Sequence, residues 1–232
     1  MKRFYKSVTV AEDEAGWRVL LDGRSIKTPG GVPQRVPTRA LAEALAQEWE
    51  AQGETIDASA FPLRDLTDYA LDAIAGGRED AVAGLLPYAE TDTLCYRADP
   101  DEPLHRRQIE IWEPVLTRAE ERFSVRFSRV SGIVHKPQPP ETLATLRTEL
   151  EALGPFPLAA LRMLASLSAS LSIALLAIEP GADIPALWRA ASLEEEWQAE
   201  LWGRDAEAED RRKERLEAFT LAARFASLAC PA

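Results

Sequence analysis

Glu90 and Asp92, two carboxylates in the stretch AETDTLCYR, are spaced for general acid–base work. Such a pair divides the roles of donor and acceptor when its surroundings push the two pKa values apart. Capping and an ion pair with Arg97 explain the same residues without chemistry, and that plainer reading is preferred. The histidines, His105 and His135, have no HExxH or CxxC around them, so a zinc site is not expected and both read as surface or capping residues. The run Asp205-Ala-Glu207-Ala-Glu209-Asp210 has the acids of a calcium loop. However, Asp210 stands where such a loop needs glycine, and Leu216 where it needs a bidentate glutamate. Acids at the start of a helix, complementing its dipole, suit the run better. With no Walker loop, GxGxxG or GxSxG elbow, the expectation is no catalysis, no cofactor and no metal. The competing enzyme reading is a small metal-dependent hydrolase built on Glu90 and Asp92 or on the Asp205 cluster.

The most unusual stretch is SLEEEWQAELWGRDAEAED, residues 192–210, with eight acids against one arginine and with Trp197 and Trp202 among them. Read as structure alone, it is an exposed acidic helix whose tryptophans point into the core. Read as function, it is a binding face in which aromatic anchors sit among charges that steer a partner. Glu194, Glu195 and Glu196 are consecutive, so on a helix they point about 100° apart and cannot all meet one partner. Leu193 and Trp197 are expected to face inward.

The elements that must position these residues fall into two parts. Residues 4–10, 16–21 and 24–28 read as an antiparallel meander, with Asp22-Gly23 as a two-residue hairpin turn and Gln34–Val36 as a further edge piece. Thr38 caps a helix over 39–52 whose stripe of Leu41, Leu45 and Trp49 covers the sheet. A boundary is expected near residue 60, giving an α+β N-terminal domain over 1–60 and a helical domain over 61–232. Helices are expected over 64–75, 78–88, 104–123 (kinked at Pro114), 140–153, 157–178, 184–202 and 206–228. Residues 124–130, SVRFSRV, read as an extended link or short strand.

Composition narrows the partners. A net charge of −11 and a pI near 4.8 argue against nucleic acid, which is bound through clustered Lys and Arg. Residues 1–64 are balanced, nine cations against nine anions, so the whole excess lies in the later part. Cys95 and Cys230 form no framework, as expected of a reducing compartment. Residues 163–178 are uncharged but too short and serine-rich to span a bilayer, so no membrane insertion is expected. The opening MKRFYKSVTV lacks the apolar run of a secretory signal and is too strand-like for a transit peptide.

Six segments in order carry a resemblance: KRFYKSVTV; LDGRSIKTP with VPTRALAEALAQEWEAQGETID; FPLRDLTDYALD; ETDTLCYRA; QIEIWEPVL; and LEEEWQAELWGRDAEA. Together they resemble the assembly chaperones of the F-type ATP synthase that bind the α subunit of its catalytic head. SASLSIALL is a looser match to a family motif of small residues and leucines. The resemblance implies a small α+β domain followed by a helical one, no catalysis, and the ATP synthase α subunit as partner, held until the β subunit replaces it. It also points to Glu194, Glu195 and Glu196 as partner-binding residues, to which Trp202 and Asp205 are added from the same stretch. Family members act in the mitochondrial matrix or the bacterial cytoplasm, and a monomeric bacterial cytoplasmic protein is expected here.

Overall fold

A computed structural model describes residues 1–132 and 134–230. The fold is α+β: a small antiparallel sheet near the N-terminus, a second two-stranded sheet, and otherwise helices. The chain forms two compact units. The first comprises residues 1–78 with 154–160 and the segment from Arg224 onward, and the second comprises 79–153 and 161–223.

In the first unit, β1 (Val8–Asp13) pairs antiparallel with β2 (Gly16–Leu21), which pairs with β3 (Arg24–Ser25). The hairpin turn falls on Asp22 and Gly23, with φ of 47° and 77°, a conformation that aspartate and glycine accept most readily. The first strand starts later than the sequence suggests because the Asp22 carboxylate takes the amides of Lys6 (3.0 Å) and Ser7 (2.9 Å) out of the ladder. Val36 pairs with Trp17 in an isolated bridge, the expected edge piece.

Helix α1 (Arg39–Glu50) starts where expected, Thr38 Oγ1 accepting from the Leu41 amide at 3.1 Å. Leu41, Leu45 and Trp49 are buried on the sheet side, Trp49 being 7% exposed. Trp49 packs edge-on against Tyr5 and at 4.5 Å against Phe61, while the Tyr5 hydroxyl donates to the Trp49 carbonyl at 2.6 Å. Helix α2 (Pro62–Tyr69) is capped from outside itself. The Glu48 carboxylate accepts from the amides of Leu63 (2.7 Å) and Arg64 (2.9 Å), which supplies the side-chain cap that Phe61 cannot. A wider turn over Ala70–Ile74 follows. Phe225 and Phe156 pair at 6.1 Å in the same unit, and Thr38 Oγ1 also donates to the Leu228 carbonyl.

The second unit is built from α3 (Arg78–Ala83), α4 (Pro87–Glu90), β4 (Tyr96–Arg97), α5 (Pro103–Phe123), β5 (Val130–Ser131) and α6 (Pro140–Ala152). After these come α7 (Pro155–Ser168), whose residues up to Ala160 belong to the first unit, α8 (Leu171–Ala177), α9 (Ile184–Ala191), α10 (Leu193–Trp202) and α11 (Ala206–Ala229), whose residues from Arg224 on do too. Residues 124–130 do end in a strand, β5, which pairs in parallel with β4. Pro114 sits inside α5, which runs on through it to Phe123.

Three helices expected to be continuous are broken. Residues 78–88 divide into α3 and α4 at a turn over 84–86. Residues 157–178 divide at Ala169, whose φ is 51°, and Ser170 caps α8 through the Ile173 amide at 3.0 Å. Residues 184–202 divide at Ser192, so the acidic helix α10 is a separate element. None of the helices among the described residues is long and apolar enough to cross a membrane.

Candidate functional site

The carboxylates proposed for chemistry are not brought together. Asp92 is fully buried, its oxygens accepting from the amides of Leu94 (3.1 Å) and Ser172 (2.9 Å), so it ties the start of α8 to the turn at Thr93–Cys95. Burial pushes its pKa up, against the pull of those amides. Glu90 points elsewhere, 3.7 Å from His135 Nε2. Arg97, expected to pair with them, instead donates to Glu113 at 2.6 Å. Glu113 also holds Arg129 (2.6 Å), and Arg129 in turn reaches the buried Glu120, making an ion-pair chain between α5 and the β4–β5 strands. Burial pushes the Glu113 and Glu120 carboxyls up, but the arginine bonds outweigh it and leave both below the usual range. Asp205 caps α11, accepting from the Ala208 amide at 3.0 Å. His105 bonds the Ala98 carbonyl through Nδ1 at 2.8 Å. Among the described residues no three of His, Cys, Asp and Glu are placed to hold a metal ion.

The acidic stretch folds into a different kind of site. α10 turns into α11 at Gly203, whose φ of 96° suits glycine, and α11 returns alongside it with a row of arginines. Glu195 accepts from Arg215 at 2.5 Å, and Glu196 from Arg212 (2.7 Å) and Arg204 (3.1 Å). Glu200 accepts from Arg107 of α5, whose guanidinium lies 5.7 Å from the centre of the half-buried Trp197 ring. Three of the four glutamates of α10 are therefore neutralised, by Arg107, Arg212 and Arg215 from outside the stretch and Arg204 from within it.

Glu194 differs from its two neighbours. It is exposed overall, yet its Oε1 accepts from Nε2 of the buried Gln108 at 2.8 Å, and the desolvation there pushes its pKa up. It has no cationic partner among the described residues, and it borders a cleft with Tyr96, Asp99 and Glu102. Leu193 is buried as expected. Trp202 is not drawn into the core: it is 78% exposed, beside Leu201 at 59%. An open hollow beside it is lined by Glu195, Gln198, Asp205, Arg211 and Arg215. An exposed aromatic tip on a helix locked by ion pairs can anchor a protein partner but has no acid–base or metal chemistry to perform.

A family model described as ATP12 chaperone protein matches residues 2–120. The chain belongs to that family. Its similarity to Protein atp12, mitochondrial, of Schizosaccharomyces pombe is 26% identity over 87% of this chain and 74% of that one. Atp12 from Paracoccus denitrificans is 41% identical, with a TM-score of 0.94 over 99% of this chain and 98% of that one. Its aspartate-to-lysine mutant superposes with the same TM-score, 0.94. Atu1473 of Agrobacterium tumefaciens is 39% identical, with a TM-score of 0.91 over 98% and 85%. The family membership makes this chain a chaperone, and the resemblance read from the six segments holds.

Sequence reasoning missed the arginines that neutralise α10. Arg212 and Arg215 come from α11 and Arg107 from α5, and nothing in the acidic stretch itself announces them. A usable signal was present in α11, where Arg211, Arg212 and Arg215 recur at helical spacing.

Proposed function

We propose that this protein is a non-enzymatic assembly chaperone of the F-type ATP synthase that binds the unassembled α subunit and is displaced by the β subunit. Its place in the ATP12 chaperone family and the six resembling segments support the assignment. The bacterial cytoplasm is the compartment that goes with it, the Paracoccus and Agrobacterium proteins being much closer in sequence than the yeast one.

One observation carries the contact surface: Trp202, beside Leu201, lies bare at the end of a helix whose flanks are fixed by ion pairs. A free ring subunit exposes apolar interface that aggregates unless covered, and a rigid aromatic tip covers such a patch at low entropic cost. In this reading Trp202 is the anchor, and Glu194 is the carboxylate still able to take a cation from the client. Asp205 lies at the rim. Glu195 and Glu196 act by holding α10 against α11.

The test is capture of purified α subunit by wild type and by Trp202→Ala, Glu194→Lys and Glu195→Lys, with melting temperature measured alongside. Trp202→Ala should leave stability within about 0.5 kcal/mol, as surface changes usually do, and weaken capture at least tenfold. Glu194→Lys should weaken capture most at low salt, where charge attraction is least screened. Full capture by stable Trp202→Ala and Glu194→Lys variants would remove α10 from the contact.

A further inference from the structure

On the other side of α10 from Trp202 lies a second groove, between α5, α9, α10 and α11. Its floor is apolar, made of Ile111, the buried Trp188 and the partly exposed Leu216. Its rim carries Arg107, Arg189 and Lys213. The carboxylates that reach this groove, Glu196 and Glu209, are shared by two arginines, Arg212 at 2.7 Å and Arg204 at 3.1 Å, so they do not offset the rim. Arg189 has no ion-pair partner among the described residues, and Lys213 has only Glu217 at 4.0 Å. Arg107 is held in place by its two bonds to Glu200 and by its stacking on Trp197, so its position is fixed before any partner arrives. Arg189 and Lys213 therefore leave a net positive charge beside an apolar floor, on a chain whose net charge is −11.

We infer that this groove binds an acidic, amphipathic polypeptide segment of the client, an apolar side chain entering between Ile111, Trp188 and Leu216 while carboxylates pair with Arg189 and Lys213. Charge complementarity selects that occupant. A basic segment would be repelled by Arg189 and Lys213, whereas an uncharged one would leave both unused. Guanidinium and ammonium groups on an apolar rim also speed encounter with an acidic partner and release it as salt rises. The inference rests on the chaperone reading and adds a second contact to the one centred on Trp202.

The experiment uses the full chain and a fluorescent twelve-residue helical peptide with leucines at i and i+4 flanked by glutamates. Its comparison peptide carries lysines in place of the glutamates. The acidic peptide should bind at least tenfold more tightly than the basic one, and the R189E/K213E variant should lose that preference while melting like wild type. A Lys136→Glu variant, reversing a cation elsewhere, should bind like wild type. Equal binding of the two peptides, or unchanged binding by a folded R189E/K213E, overturns the inference. So would sedimentation showing that the groove is filled by the Trp202 tip of a second copy, with dimers abolished by Trp202→Ala. Capture of the α subunit is scored separately. Loss of α capture with peptide preference intact defeats the α-subunit reading alone, whereas α capture indifferent to R189E/K213E defeats the groove alone.

Discussion

Asp92 has the form of a catalytic carboxylate and does the work of a cap. Its two oxygens accept from the amides of Leu94 and Ser172, which lie far apart in the chain. Asp92→Ala should therefore cost roughly 1–3 kcal/mol for each buried amide left unpaired, and Asp92→Asn, which keeps one carbonyl, should recover part of that. Chemical denaturation of the two variants checks the order. Trp49→Ala should cost about 3–5 kcal/mol, the range for deleting a core aromatic, since the ring is wedged between Tyr5 and Phe61. Glu120 adds a pH signature. Its folded pKa is depressed, so the stability it supplies is present above the unfolded value of about 4.3 and is lost as pH falls through the folded one. Relative to Glu120→Gln, wild type should be more stable at pH 7, and the gap should close on acidification toward pH 3. A gap that stays constant across that range would show that the Arg129 pairing does not set the carboxyl's pKa.

At the scale of elements, what could be read in advance was whatever is determined locally. Asp22-Gly23 fixed its turn and Thr38 its cap because the atoms that satisfy them lie within a few residues. The break at Ala169 was hidden, since neither proline nor glycine marks it. It is held by a distant contact, the Ala169 carbonyl accepting from the amide and hydroxyl of Thr93 at 3.1 and 2.9 Å. A non-glycine residue in the left-handed region costs about 1–2 kcal/mol, and glycine's extra freedom when unfolded costs about 0.5–1. Ala169→Gly should thus raise stability by about 0.5–1 kcal/mol, measurable as a shift in denaturation midpoint without a change in slope. The candidate site was legible in the same partial way. The acidic helix and its tryptophans could be found in the sequence, but its neutralisation by α5 and α11 depends on tertiary pairing. The exposure of Trp202 likewise turns on where Gly203 ends the helix, one residue later.

For the molecule as a whole, the first unit depends on two short segments from late in the chain. Phe225 and Ala226 are fully buried, Phe225 pairs with Phe156, and Leu228 offers its carbonyl to the residue that caps α1. Deleting residues 224–232 should cost at least roughly 3 kcal/mol from Phe225 alone. Hydrogen exchange should show protection lost in α1, although no residue of α1 is removed. Protection in α1 equal to wild type would mean the segment is dispensable to that unit.

The same dependence orders events during synthesis. Residues 1–78 leave the ribosome early, but Phe225 follows Glu50 by 175 residues, about 9 to 35 s at a translation rate of roughly 5–20 residues per second. Throughout that interval the unit lacks Phe156 for much of the time and Phe225 until the end, so neither the Phe156–Phe225 pair nor the bond from Thr38 to the Leu228 carbonyl can form. The hairpin and α1 can form as they emerge, because their signals are local, but the unit cannot close in the order in which it is made. Until α11 is delivered, a nascent chaperone of this fold is itself an incompletely closed polypeptide, the state in which transiently exposed apolar surface invites misassociation.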